Sequence, residues 1–171
     1  MKPNLIISCP ATSRSGYGDH SRDLIRSLIK IDKYNIKVMD QMWGACPKDQ
    51  LGDSDRDISS LIMAKTESQD MQQPDIWIQV TVPNEFQPVG KYNIGITAGI
   101  ETTLCDSEWI LGCNRMDQVI VPSEHSKYIF QSMKYKGQDP QTKESMPDLS
   151  LNSNIDVLME GLDMEFFNKT K

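Results

Sequence analysis

The stretch NLIISCPATSRSGYGDHSRDLIRSLIKI, residues 4–31, decides the fold class. Its opening, Leu5-Ile6-Ile7-Ser8-Cys9, is a compact apolar run closed by Pro10, which suits a strand buried on both faces of a parallel sheet. Residues 11–19 are polar and carry Gly16 and Gly18, so they read as a loop. Behind them Leu24, Ile25, Leu28, Ile29 and Ile31 approximate one apolar helical face. The stretch is therefore a strand, a loop and a helix in that order.

Working outward, Asn35–Asp40 reads as a second strand, and 42–53, with Gly44, Pro47 and Gly52, as an irregular loop. Asp53, Ser54 and Asp55 offer capping oxygens, and Ile58, Leu61 and Ile62 recur at helical spacing, which predicts a helix over 55–65. A polar connection over 66–73 leads to strands at 76–82 and 92–97, a helix at 107–116 and a buried strand at 117–121. Ser123 then caps a helix over 124–133 that carries Tyr128, Ile129, Phe130 and Met133. Residues 134–154 are polar with two prolines and read as a long exposed loop, before β character returns at 155–159.

This alternation predicts an α/β fold with a Rossmann-like, doubly wound, mainly parallel sheet, whose ligands gather at the carboxyl ends of the strands. Function is then expected in the loops 11–19, 98–107 and 122–126, each of which follows a strand. At 171 residues the chain fits one such domain. A net charge of −6 argues against a general nucleic-acid or anionic-membrane binder, since both need a positive field. Cys9, Cys46, Cys105 and Cys113 form no CxxC pair and there are only two histidines, so no zinc spacing is present and the cysteines read as reduced thiols. The N-terminal apolar run is shorter than a signal-peptide core or a membrane span, so a cytoplasmic location is expected.

Arg14-Ser15-Gly16-Tyr17-Gly18-Asp19 has the chemistry of an anion-facing loop, because glycines let backbone N–H groups approach a ligand at a helix N-terminus. A plain tight turn uses the same glycines. The third glycine of the dinucleotide fingerprint is missing, and Asp40 only loosely mimics its ribose-binding acid. Glu101 and Thr102 follow a strand and are placed to meet sugar hydroxyl groups; the competing role is helix capping by Thr102, Thr103 or Asp106. Ser123, Glu124 and His125 also stand at a strand-to-helix junction, where capping and ligand binding are equally open. His20 and His125 are candidates for hydrogen bonding to sugar or phosphate, not bases; isolated histidines are more often surface or packing residues, which is the competing reading. Of the tryptophans, Trp43 is placed to stack on a sugar, whereas Trp77 and Trp109 lie in apolar segments and read as core.

Taken in order, these segments resemble the N-terminal domain of group-1 (family 4-like) glycosyltransferases of the GT-B fold. The resemblance rests on the glycine turn, on Glu101-Thr102, Trp109, Asp117-Gln118-Val119-Ile120-Val121-Pro122-Ser123 and Phe130, and on Val157 to Phe167, where Glu160 replaces the family's asparagine. It implies an acceptor-side domain over 1–160, with 161–171 starting the linker to a donor-binding lobe that is not in this chain. It further implies a retaining transfer from a nucleotide-sugar donor, used as substrate and without a cofactor or bound metal. In that scheme Gly16, Tyr17 and Gly18 face the donor phosphates, Glu101 is catalytic, and Thr102, Ser123, Glu124 and His125 line the acceptor cleft. Donor sugar and acceptor are not specified, and the lobe alone is expected to be inactive. A non-catalytic ligand-binding or interaction domain of the same fold is the alternative.

Overall fold

A computed structural model describes residues 2–64, 71–138 and 145–161. The strands are β1 (Asn4–Cys9), β2 (Asn35–Asp40), β3 (Ile76–Val80), β4 (Tyr92–Ile96), β5 (Gln118–Val121), β6 (Lys134–Gln138), β7 (Ser145–Ser150) and β8 (Asn154–Val157). The helices are α1 (Gly16–Ile31), α2 (Arg56–Ser59), α3 (Ser107–Cys113) and α4 (Glu124–Ser132). Six strands form one sheet in the order β2-β1-β3-β4-β5-β8, and every pairing in it is parallel. The chain order reverses between β1 and β3, the position at which open α/β sheets leave a crevice above the strand ends.

Alternation along the strands divides the core in two. Leu5, Ile7, Ile78, Val80 and Ile96 point to the face covered by Ile25 of α1 and Ile58 of α2. Ile6, Trp77, Val119 and Val121 point to the other, against Ile110 and Cys113 of α3 and Phe130 of α4. Helices thus cover both faces, which is why the strands read as nearly continuous apolar runs. Trp77 and Trp109 belong to this second layer, Trp109 stacking on Phe130 at 6.2 Å between ring centres. No helix of the described residues is long and apolar enough to cross a membrane.

Three expectations need correction. The helix expected over 55–65 is a 3-10 turn, Asp53–Asp55, followed by the single turn of α2. Beyond Ser60 the chain turns extended: Val38 N–H donates to the Leu61 carbonyl at 2.8 Å, and Met63 N–H to that of Val38 at 2.9 Å. β2 is an edge strand, and satisfying its free backbone groups outweighs the local helical period of Leu61 and Ile62. The exposed loop expected over 134–154 contains the antiparallel pair β6 and β7. Tyr135 and Leu149 are directly opposite in that pair and both pack on the core beside α3, a cross-strand match invisible to composition. Asn114 ties the end of α3 to this hairpin, its amide donating to the Ser150 carbonyl at 2.8 Å and its oxygen accepting from Asn152 N–H at 2.7 Å.

Thirdly, the loop expected over 11–19 ends at Ser15, so Gly16, Tyr17 and Gly18 form the first turn of α1. Ser15 is extended and its hydroxyl accepts from Gly18 N–H at 3.1 Å, which makes it the N-cap. The expected linker over 161–171 lies, apart from Gly161, outside the described residues.

Candidate functional site

The carboxyl ends of β1, β3, β4 and β5 bring the candidate loops to one edge of the sheet. Residues 11–15 are held by a cation from below. Arg22 is only 5% exposed, and one guanidinium nitrogen donates to the carbonyls of Ala11 at 2.8 Å and Ser13 at 3.0 Å. Its other terminal nitrogen pairs with Asp19. Gly18, Arg22, Ile25 and Ile29 share one stripe of α1, so a charge standing in an otherwise apolar and small-residue face was the available signal for this buried role.

The two glycines differ. A side-chain carbon on Gly18 would overlap the Ser13 carbonyl and come within 2.8 Å of the Ser13 hydroxyl, so Gly18 is glycine for close packing. Gly16 is exposed with open space beside it, and the N–H groups of Gly16 and Tyr17 have no acceptor among the described residues. These are the unpaired donors and the positive dipole end of a 16-residue helix.

Tyr17 links this turn to the segment after β4. Its hydroxyl lies 3.1 Å from Thr97 Oγ1 and accepts from Ala98 N–H at 3.1 Å. Its ring stacks on Trp43, with centres 4.2 Å apart and planes at 29°. Asp40 holds the Trp43 loop in place: its carboxylate accepts from Thr12 N–H at 3.0 Å and Thr12 Oγ1 at 2.9 Å and pairs with Lys48. The acid at the end of β2 therefore joins two loops and has little capacity left for a ribose.

The segments after β4 and β5 are joined through Ser126, which is buried. Ser126 Oγ accepts from Ile100 N–H at 3.3 Å and lies 3.0 Å from the hydroxyl of Ser123, which caps α4 by accepting from Ser126 N–H at 3.1 Å. Gly99 has φ +86°, and a Cβ there would come within 2.8 Å of the Ser126 Cβ, so both backbone and space require glycine. Glu101 is exposed and makes no hydrogen bond or ion pair with a described residue. Thr102 donates to the Leu104 carbonyl at 2.8 Å, and Asp106 caps α3. Glu124 and His125 are exposed in the first turn of α4. His20 stands apart, 3.7 Å from Glu160 beyond β8.

The edge thus joins the glycine turn to Ala98, and Ile100 to Ser123 through Ser126; no described hydrogen bond joins Glu101, Glu124 or His125 to either. The described residues contain no group of three or more His, Cys, Asp or Glu side chains able to hold a metal ion. A cavity of about 560 Å³ lies at the opposite end of the sheet, against Asn4, Ile6, Lys37 and Met63, and none of the candidate residues lines it.

Beneath the edge, burial pushes the Cys9 thiol up to about 12, with partial relief from Ser21, and burial likewise pushes Cys113 to about 12 and raises Cys105. Thiolates are the reacting species, so iodoacetamide at about pH 8 is expected to label half-buried Cys46 first and leave Cys9 and Cys113 unmodified in the folded protein. Mass spectrometry of native and urea-unfolded samples checks this; native labelling of Cys9 at the rate of Cys46 would contradict the burial.

No family model, no curated protein and no solved structure matches this chain.

Proposed function

We propose that the chain is the acceptor-side lobe of a retaining glycosyltransferase that uses a nucleotide sugar, with its site along the carboxyl edge of the sheet. The observation that carries this reading is the placement, above the β1/β3 reversal, of the α1 turn with its unpaired Gly16 and Tyr17 N–H groups, bonded through Tyr17 to the segment that leads to Glu101. Such a turn favours a diphosphate, because partial positive charge and free N–H donors coincide there. A second lobe supplies the remaining donor contacts, and the leaving diphosphate is stabilised electrostatically while the two lobes fix the geometry of transfer.

In this reading Glu101 orients a sugar hydroxyl. It has no partner among the described residues, and its two carboxylate oxygens can accept from a ligand hydroxyl. Thr102, Ser123, Glu124 and His125 border the acceptor; Ser123 does so while its oxygen also serves the α4 cap.

Glu101→Gln, placed in a protein carrying both lobes, is expected to lower transfer about tenfold, the difference between a charge-assisted and a neutral hydrogen bond. A loss seen as raised KM assigns Glu101 to acceptor holding, whereas a fall in kcat assigns it to developing charge. Steady-state kinetics beside a thermal melt of the same variant make the test. Unchanged kinetics, or a loss fully explained by unfolding, removes Glu101 from the site.

A further inference from the structure

The stacked rings of Tyr17 and Trp43 are fixed more firmly than two rim side chains need to be. The Trp43 loop is tied to the β1–α1 loop at several points besides Asp40: Gln41 N–H donates to the Cys9 carbonyl at 2.9 Å, Arg14 N–H to that of Pro47 at 3.0 Å, and Gln50 N–H to that of Thr12 at 3.3 Å. A tight turn follows the indole, with Cys46 N–H on the Trp43 carbonyl at 3.0 Å and Gly44 at φ +51°. On the other side, Tyr17 is pinned by Thr97 and Ala98. The aromatic pair therefore reaches from the loop after β2 to the segment after β4, across the β1/β3 crevice.

Trp43 is only half-buried, and its indole N–H has no acceptor among the described residues. A fixed aromatic face beside an unused donor is matched by a pyranose ring: its C–H bonds carry partial positive charge that the ring face attracts, and a hydroxyl at its edge accepts from the indole. Rings held this way lose little conformational freedom on binding. Tyr17 covers the inner face of the Trp43 indole, and we propose that the outer face of Trp43, backed by Tyr17, is the platform on which a pyranose ring of the acceptor stacks. This deepens the transferase reading by naming a carbohydrate as the acceptor class, and it rests on that reading for the word acceptor alone.

The test follows the three tryptophan indole N–H resonances of the ¹⁵N-labelled chain, with Trp43 identified by the signal lost in Trp43→Phe. Methyl α-D-mannopyranoside and methyl β-D-glucopyranoside are titrated separately from uridine diphosphate. At least one pyranoside is expected to move the Trp43 signal saturably. Trp43→Ala should weaken that binding about tenfold, and Trp43→Phe, which keeps a ring, clearly less. If neither pyranoside moves Trp43, if Trp43→Ala binds as tightly as the parent, or if only the nucleotide moves it, the platform is overturned. The parent titration stands whether or not the alanine variant folds. The Gly16 and Tyr17 amides read the nucleotide independently: pyranoside binding without any nucleotide response keeps the platform and removes the α1 turn from diphosphate binding, and with it the observation that carries the transferase reading, whereas the reverse result overturns the platform and keeps that observation.

Discussion

Gly18→Ala is expected to destabilise the protein by about 2–3 kcal/mol, lowering Tm by roughly 5–10 °C, while Gly16→Ala stays within about 0.5 kcal/mol of the parent. Both glycines lie in the first turn of α1, where alanine has the better helix propensity. Space decides between them. At Gly18 the added methyl meets the backbone carbonyl of Ser13 and comes within 3.0 Å of the Arg22 nitrogen that bonds that same carbonyl, so it crowds both partners of a buried hydrogen bond. The helix or the loop must shift, and the Ser15 cap and the Arg22 contacts are strained together. At Gly16 the methyl enters open space. Urea unfolding of the two variants checks the ranking, and equal stabilities would show that the helix does not press on Ser13. Nucleotide titration then separates packing from recognition: if a diphosphate approaches the turn, Gly16→Ala should weaken its binding without a stability loss.

Arg22→Ala is expected to cost about 3 kcal/mol, because it leaves the carbonyls of Ala11 and Ser13 without their donor in a place water does not reach. Asp19 is not the main loss, since its carboxylate is largely solvated. Arg22→Lys should recover only part of the stability, as one ammonium cannot reproduce a planar fork that serves two carbonyls and a carboxylate. Arg22→Met tests the point further: it retains much of the buried volume yet supplies no donor, so it should resemble Ala more than Lys. Chemical denaturation of the three variants, with amide exchange of residues 11–18, makes the comparison. If Met matched the parent, the guanidinium would be serving packing alone, and the loop would not depend on it.

The site's chemistry depends on these two supports. Gly16 and Tyr17 present unpaired N–H groups only while Ser15 caps α1, and Ser15 is placed by the loop that Arg22 holds. A change in stability at Gly18 or Arg22 is thus expected to reach ligand binding through the loop, whereas Glu101→Gln acts at the edge directly.

Sequence alone determined the layer architecture. Apolar runs of four to six residues alternating with amphipathic helices admit few arrangements other than a parallel sheet covered on both faces, and the predicted positions of β1, β2, α1, α3 and α4 follow from periodicity and caps that are local properties. Ser123 was legible as a cap for the same reason, while Asp106 was one of three candidates, with Thr102 and Thr103, among which the folded chain decided. What lay beyond local reach was decided by pairing and burial. The single turn of α2 in place of a longer helix is imposed by the open edge of β2, and the β6–β7 hairpin by the apposition of Tyr135 with Leu149 against α3. The site divides likewise: a glycine turn and a glutamate after a strand are visible in the chain, but which glycine packs and which stays open depends on Ser13 and Arg22. The roles of Asp40 as a tie between loops and of Trp43 as Tyr17's partner arise from contacts between residues 26 to 28 positions apart, which only the folded sheet brings together.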